Sequence, residues 1–131
     1  MVRRSFIIGS VLALSAAAWG HHAFSAEFDA TKRVVLTGKI VKLDWRNPHA
    51  GFLLEVAGSP SPVMDWELEL PSPNVLIRQG WGREAFKQGA TLTVSGFRAR
   101  DASRLASVRT IKFADGRTIV IGAASDGGPE K

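Results

Sequence analysis

The sequence predicts an all-β fold, and three of its features carry that prediction. Met64, Trp66, Leu68 and Leu70 alternate with Asp65, Glu67 and Glu69, the period of a strand with one face buried. Residues 34–43 are a long run rich in β-branched and aliphatic side chains. Asp115-Gly116 lies between two further strand-like runs, where a tight hairpin turn belongs.

The start of the chain has a different character. Arg3 and Arg4 precede an apolar run from Phe6 to Trp19, broken only by Gly9, Ser10 and Ser15. Ala18-Trp19-Gly20 then places small residues at the two positions a signal peptidase reads. Charged, apolar and small-x-small regions in that order make residues 1–20 a secretory signal peptide. The alternative, an uncleaved anchor, wants about 20 apolar residues to span a bilayer, and this run is shorter. Arg3-Arg4-Ser5-Phe6-Ile7 also resembles a twin-arginine signal. The very short region before it and the lack of a lysine after the apolar pair Phe6-Ile7 favour the general secretory route. The mature protein is then expected to start at His21 and to work in the periplasm, with no stable membrane span.

Composition narrows the function classes. The chain has 131 residues and a net charge of +5, which falls to +3 when Arg3 and Arg4 leave with the signal. The remaining basic residues are scattered among acids rather than gathered into a stripe, so no nucleic-acid partner is expected. Cysteine is absent, which excludes disulfides, thiolate metal sites and covalent haem attachment. Stability must come from an apolar core.

The elements follow in order. Residues 21–32 have no clear period and read as an extended arm. In the run from Val34 to Trp45, Leu36 and Ile40 share one face while Val41, Leu43 and Trp45 share the other. That change of phase beside Gly38 predicts a bulge or sharp coil, which would let one strand serve both halves of a barrel. Asn47-Pro48 turns the chain, and Phe52, Leu54 and Val56 return in phase. A loop at residues 57–62 leads to the alternating strand, whose carboxylates read as a solvated face. Ser72 caps a short helix with Pro73 in its first position and Gly80 at its stop. A further helical turn fits between Gly82 and Gly89. Residues 91–98, 104–113 and 117–121 complete the strands, and residues 123–131 read as a flexible tail. Residues 21–122 thus form one domain of five or six strands with a short helix between the third and fourth. That order fits a small OB-like Greek-key barrel, with an open β-sandwich as the competitor.

These residues also carry a resemblance. His21-His22-Ala23-Phe24, the strand at 34–43, Trp45-x-Asn47-Pro48-His49, the segment from Pro73 to Gly80-Trp81, and Gly96-Phe97-Arg98-Ala99 resemble a family of small exported bacterial proteins of unknown function. The likeness runs from His21 to about Gly122. Members commonly show Ala where Gly20 stands. More loosely, the chain is similar to periplasmic OB-fold proteins. The resemblance implies the compartment and a barrel, and no activity.

The chemistry rests on His21, His22 and His49, the only histidines. Cleavage after Gly20 would give His21 a free amine of pKa about 8 beside imidazoles of pKa about 6.5, and a metal competes successfully for such nitrogens near neutrality. The amine and ring of His21 with the imidazole of His49 or His22 make a three-nitrogen set suited to Cu(II). It resembles the histidine brace of some exported copper proteins. Copper binding for buffering or delivery is the expectation, and not an enzyme. No Ser–His–acid set, phosphate loop or zinc-protease helix is present in the sequence. The other reading is a module whose barrel face binds a small periplasmic ligand or protein through Trp45, Asn47, Phe52, Arg78 and Trp81. In it, Trp81 either binds a ligand or plugs the barrel end, and Arg78 either binds an anion or pairs with Glu84.

Overall fold

The computed structural model describes residues 24–58 and 63–121. The leader at 1–20, His21, His22 and the tail at 123–131 lie outside the described residues. Six strands form: β1 Phe28–Asp44, β2 Gly51–Val56, β3 Met64–Glu69, β4 Thr91–Ala99, β5 Leu105–Phe113 and β6 Thr118–Val120. Helix α1, Pro73–Arg78, and a 3-10 turn, Arg83–Ala85, lie between β3 and β4, as the sequence order predicts.

β1 joins the two halves. It pairs antiparallel with β4 from Arg33–Phe97 to Lys39–Thr91, and with β2 from Gly38–Val56 to Asp44–Gly51. Both partners meet at Gly38, where a Cβ would lie 2.2 Å from the Glu55 carbonyl oxygen, so only glycine fits. The predicted bulge sits three residues later than Gly38, at Val41, between Ile40 and Lys42. The extended arm expected at 21–32 is corrected. Residues 24–27 are helical, and β1 itself begins at Phe28, which pairs with Ala99.

β3 pairs with β2 on one side and, in parallel, with β5 on the other through Glu67–Leu105, Leu68–Ala106 and Glu69–Ser107. That last contact joins β3 to β5 and closes strands β1 to β5 into a ring, with β6 paired on β5 outside it, so the open sandwich does not form. One register row circles the five ring strands. Arg33 faces Phe97, Phe97 faces Ser107, Ser107 faces Glu69, Glu69 faces Gly51, and Gly51 faces Asp44. The row returns to β1 eleven positions beyond its start, the stagger that tilted strands need to close.

The ring encloses the core. Ile40, Leu54, Leu68, Leu92, Val94, Val108 and Ile111 point inward and are almost wholly buried. α1 is short and well signalled: the Ser72 hydroxyl accepts from the Val75 N–H at 3.3 Å, Pro73 occupies the first turn, and Gly80 leaves it at φ +92°. Beyond α1, Phe86 lies between Trp45, Phe52 and Phe113, with ring centroids at 6.0, 6.3 and 6.4 Å. Trp81 stacks on Phe113. A second, smaller apolar group lies outside the ring, where Phe28, Phe97 and Ala99 are buried.

Candidate functional site

The outward face of the circling row is covered over one stretch and open over the next. Cross-strand partners share a face, so Phe97, Ser107, Glu69 and Gly51 lie side by side outside the ring. Phe24, in the helical turn that precedes β1, covers the first part. Its ring stacks on Phe28 at 5.6 Å and meets Phe97 edge-on at 6.1 Å. The Arg109 guanidinium lies 4.8 Å from the Phe24 ring and 5.5 Å from Phe97, and Arg33 approaches Phe97 from β1. Arg100 fixes the same turn through its backbone, donating from N–H to the Glu27 carbonyl at 2.8 Å and from Nε to the Ser25 carbonyl. Ser107, the next residue in the row, is buried.

Past Ser107 the cover ends. Glu69, Gly51 and the residues around them line an open cleft of about 430 Å³, to which Lys42, Asp44, Arg46 and His49 contribute from the first hairpin. Gly51 carries no side chain to fill it, and a Cβ there would press to 2.8 Å from the Leu68 carbonyl oxygen. His49 stands at the rim with its Nδ1 3.7 Å from Glu69 Oε1; its side chain is 55% exposed and that of Glu69 27%. Arg46 pairs with Asp44 at 2.8 Å, and both line the cleft. Burial raises the Glu69 carboxyl above its usual range; His49 works against that rise, and Glu27, from the covering turn, adds to it.

His49, expected as a metal ligand, therefore faces a carboxylate that the sequence reading took for a solvated one. Asp65 and Glu67 are exposed as expected, whereas Glu69 is half-buried. Strand alternation alone cannot distinguish the three. The distinction comes from register, which sets Glu69 opposite Gly51 and Ser107. Among the described residues no group of three or more His, Cys, Asp or Glu side chains stands close enough to hold a metal by itself. A complete set would need donors from His21 or His22.

The residues expected to form a ligand face lie apart in the structure. Of Trp45, Asn47, Phe52, Arg78 and Trp81, only Phe52 lines the cleft, and it does so as the buried floor, 3% exposed and stacked on Phe86. Trp45 is half-buried against Phe86, Asn47 is exposed in the turn, and Arg78 is exposed at the end of α1. Arg78 and Glu84 do not pair among the described residues. Trp81 lies in a separate concavity with Glu84, Phe113 and Arg117, packed against the core as a plug.

No described helix is long and apolar enough to cross a membrane. No curated protein and no solved structure matches the chain. A family of unknown function, DUF6152, matches residues 9–108, starting inside the predicted leader and ending within β5, so its span begins and ends earlier than the likeness read from the motifs. With most of its length inside that match, the chain belongs to the DUF6152 family.

Proposed function

We propose that this is an exported periplasmic protein built on an OB-type barrel, and that it binds copper for buffering or delivery at the cleft of His49 and Glu69. A ring ordered β1-β2-β3-β5-β4 with its helix between β3 and β4 fits the OB arrangement. The leader at 1–20 supports export. Binding, rather than catalysis, suits a shallow cleft with one imidazole at its rim.

One observation carries the copper reading: the turn that holds Phe24 is docked on the same register row that contains Glu69, the carboxylate beside His49. Phe97, beneath Phe24, lies two strand spacings from Glu69, about 10 Å. His21 stands three positions before Phe24, a length of chain that reaches at most about 11 Å. Cleavage after Gly20 would put an amine and two imidazoles on a tether of about the length that separates Phe97 from Glu69. Three nitrogens with a carboxylate alongside suit Cu(II), which takes nitrogen and oxygen donors in tetragonal arrangements.

The test begins with the intact mass of the secreted protein, expected to start at His21. Cu(II) titration of that protein is then compared with a form acetylated at its N-terminal amine and with His49→Ala. Each change should weaken binding about tenfold or more, since each removes one donor. Equal affinity of the acetylated form overturns the chelating amine. No binding by any form overturns the copper reading and favours a cleft that takes a non-metal ligand or protein.

A further inference from the structure

We propose that the edge of β1 at Arg33 and Val35 is a docking site for another protein, which adds an extended segment of alternating apolar and acidic residues there as a further strand. The site is separate from the His49 cleft and does not rest on the copper reading. Its basis is the phase of the backbone hydrogen bonds along β1. In an antiparallel pair each residue points its N–H and C=O together to one side, and successive residues alternate. Ile40 points both toward the β4 side, donating to the Ala90 carbonyl at 3.0 Å and accepting from the Gly89 N–H at 2.7 Å. The β1–β4 register is unbroken from Arg33 to Lys39, so Gly38, Leu36 and Val34 share that direction. Arg33, Val35, Thr37 and Lys39 point the other way. The Thr37 and Thr93 hydroxyls bear this out: they lie 2.9 Å apart, the close side-chain approach of a pair that exchanges no backbone bonds. On the far side Lys39 meets Glu55, but β2 ends at Val56, opposite Gly38. Among the described residues, the N–H and C=O groups of Arg33 and Val35 therefore have no strand to bond.

The side chains say what this edge would take. Val35 faces outward and is 65% exposed, an apolar residue in the middle of an unpaired edge. Arg33, exposed on the same face, lies over the Phe97 ring at 5.9 Å. Val34 and Leu36 face inward and pack, partly buried, against the core. An added strand shares its faces with its neighbour. Its inward residues would lie beside Val34 and Leu36 and so must be apolar, while its outward residues would lie beside Arg33 and Val35. Residues 30–43 contain Lys32, Arg33, Lys39 and Lys42 and no carboxylate, and β4 alongside contains none either. An acidic outward side chain therefore gains an opposite charge across the strands, and a basic one meets its like. A second copy of this edge would bring the same cations with it. Charge thus favours an acidic segment of a different protein.

The experiment uses the secreted protein and a short, end-capped peptide of alternating valine and glutamate. Binding is read by fluorescence anisotropy and by amide exchange at Arg33 and Val35. The peptide should bind and slow exchange at both amides. Its lysine counterpart, and a glutamate form N-methylated at the residues that would face β1, should each bind about tenfold more weakly or worse. Val35→Pro removes a donor that points away from β4, a position where a strand tolerates proline. It should leave the thermal melt within a few degrees of the wild type and weaken the peptide about tenfold. Arg33→Glu keeps every backbone group, should the proline disturb β1, and should reverse the preference between the glutamate and lysine peptides. Wild-type affinity for the N-methylated peptide, or in a folded Val35→Pro, overturns strand addition. Equal affinity for the glutamate and lysine peptides overturns the acidic partner. Self-association that Val35→Pro abolishes overturns the proposal in favour of a second copy. No binding of the glutamate peptide overturns the docking site and leaves Lys32 and Arg33 as charges that guard an edge.

Discussion

At the scale of residues, Glu69 decides how the cleft behaves. Burial holds its carboxyl above the ordinary value of 4.5, and Glu27 pushes in the same direction, while His49 offsets part of the rise. A folded-state pKa above the unfolded one means that the native state binds the extra proton. Its contribution to stability is complete below the unfolded value and is lost as pH rises through the folded one. Ionised Glu69 is thus a cost at neutral pH. Glu69→Gln should raise Tm at pH 7, and the gain should vanish by pH 4, where the wild-type carboxyl is protonated as well. A thermal melt at the two pH values checks this, and an equal gain at both would show that the carboxyl ionises as it does in the unfolded chain. His49 was legible because a protein with three histidines offers few candidates. Glu69 was not, because its local pattern is identical to that of Asp65 and Glu67, and only pairing with β2 and β5 distinguishes it.

Elements differ in how much of their structure is local. α1 is almost entirely so: Ser72 caps it, Pro73 starts it and Gly80 ends it, each by a preference of its own backbone or side chain. Ser72→Ala removes the acceptor for the Val75 N–H and should cost about 1 kcal/mol of stability. Denaturant titration should show it as a lower midpoint at unchanged slope. An unchanged midpoint would mean that water replaces the hydroxyl at no cost. β3 was equally plain, since one buried face imposes its period. β1 was only half visible. Its first residues pair with β4 at Phe28 and then not again until Arg33, and the shift between them leaves Asp29 to Lys32 without a periodic apolar signal. Local preference there is turn-like, with Asp29 accepting from both the N–H and the hydroxyl of Thr31. The strand start and the turn at 24–27 are instead set by tertiary contacts, above all Phe24 on Phe97, which lies far away in sequence.

At the scale of the molecule, ring closure makes the end of the chain as necessary as its beginning. The family match stops at residue 108, yet the core does not. Ile111, Phe113, Ile119 and Ile121 all lie beyond it, exposed by 0, 7, 1 and 0%, and β5 past that point still pairs with β4 through Thr110, Ile111, Lys112 and Phe113. Fully burying one such side chain contributes about 1.5–3 kcal/mol. Four of them rival the about 5–15 kcal/mol of net stability that a whole domain retains. A mature chain ending at Val108 should therefore lose cooperative thermal unfolding and its near-ultraviolet circular dichroism, even though β3 could still pair with Leu105 to Ser107. A chain ending at Gly122 keeps every one of those side chains and should melt within a few degrees of the full mature protein. Cooperative melting of the shorter chain would mean that the ring carries a sufficient core without β6. In that case the second half of β5 and the final hairpin would be an addition to the fold rather than its last wall.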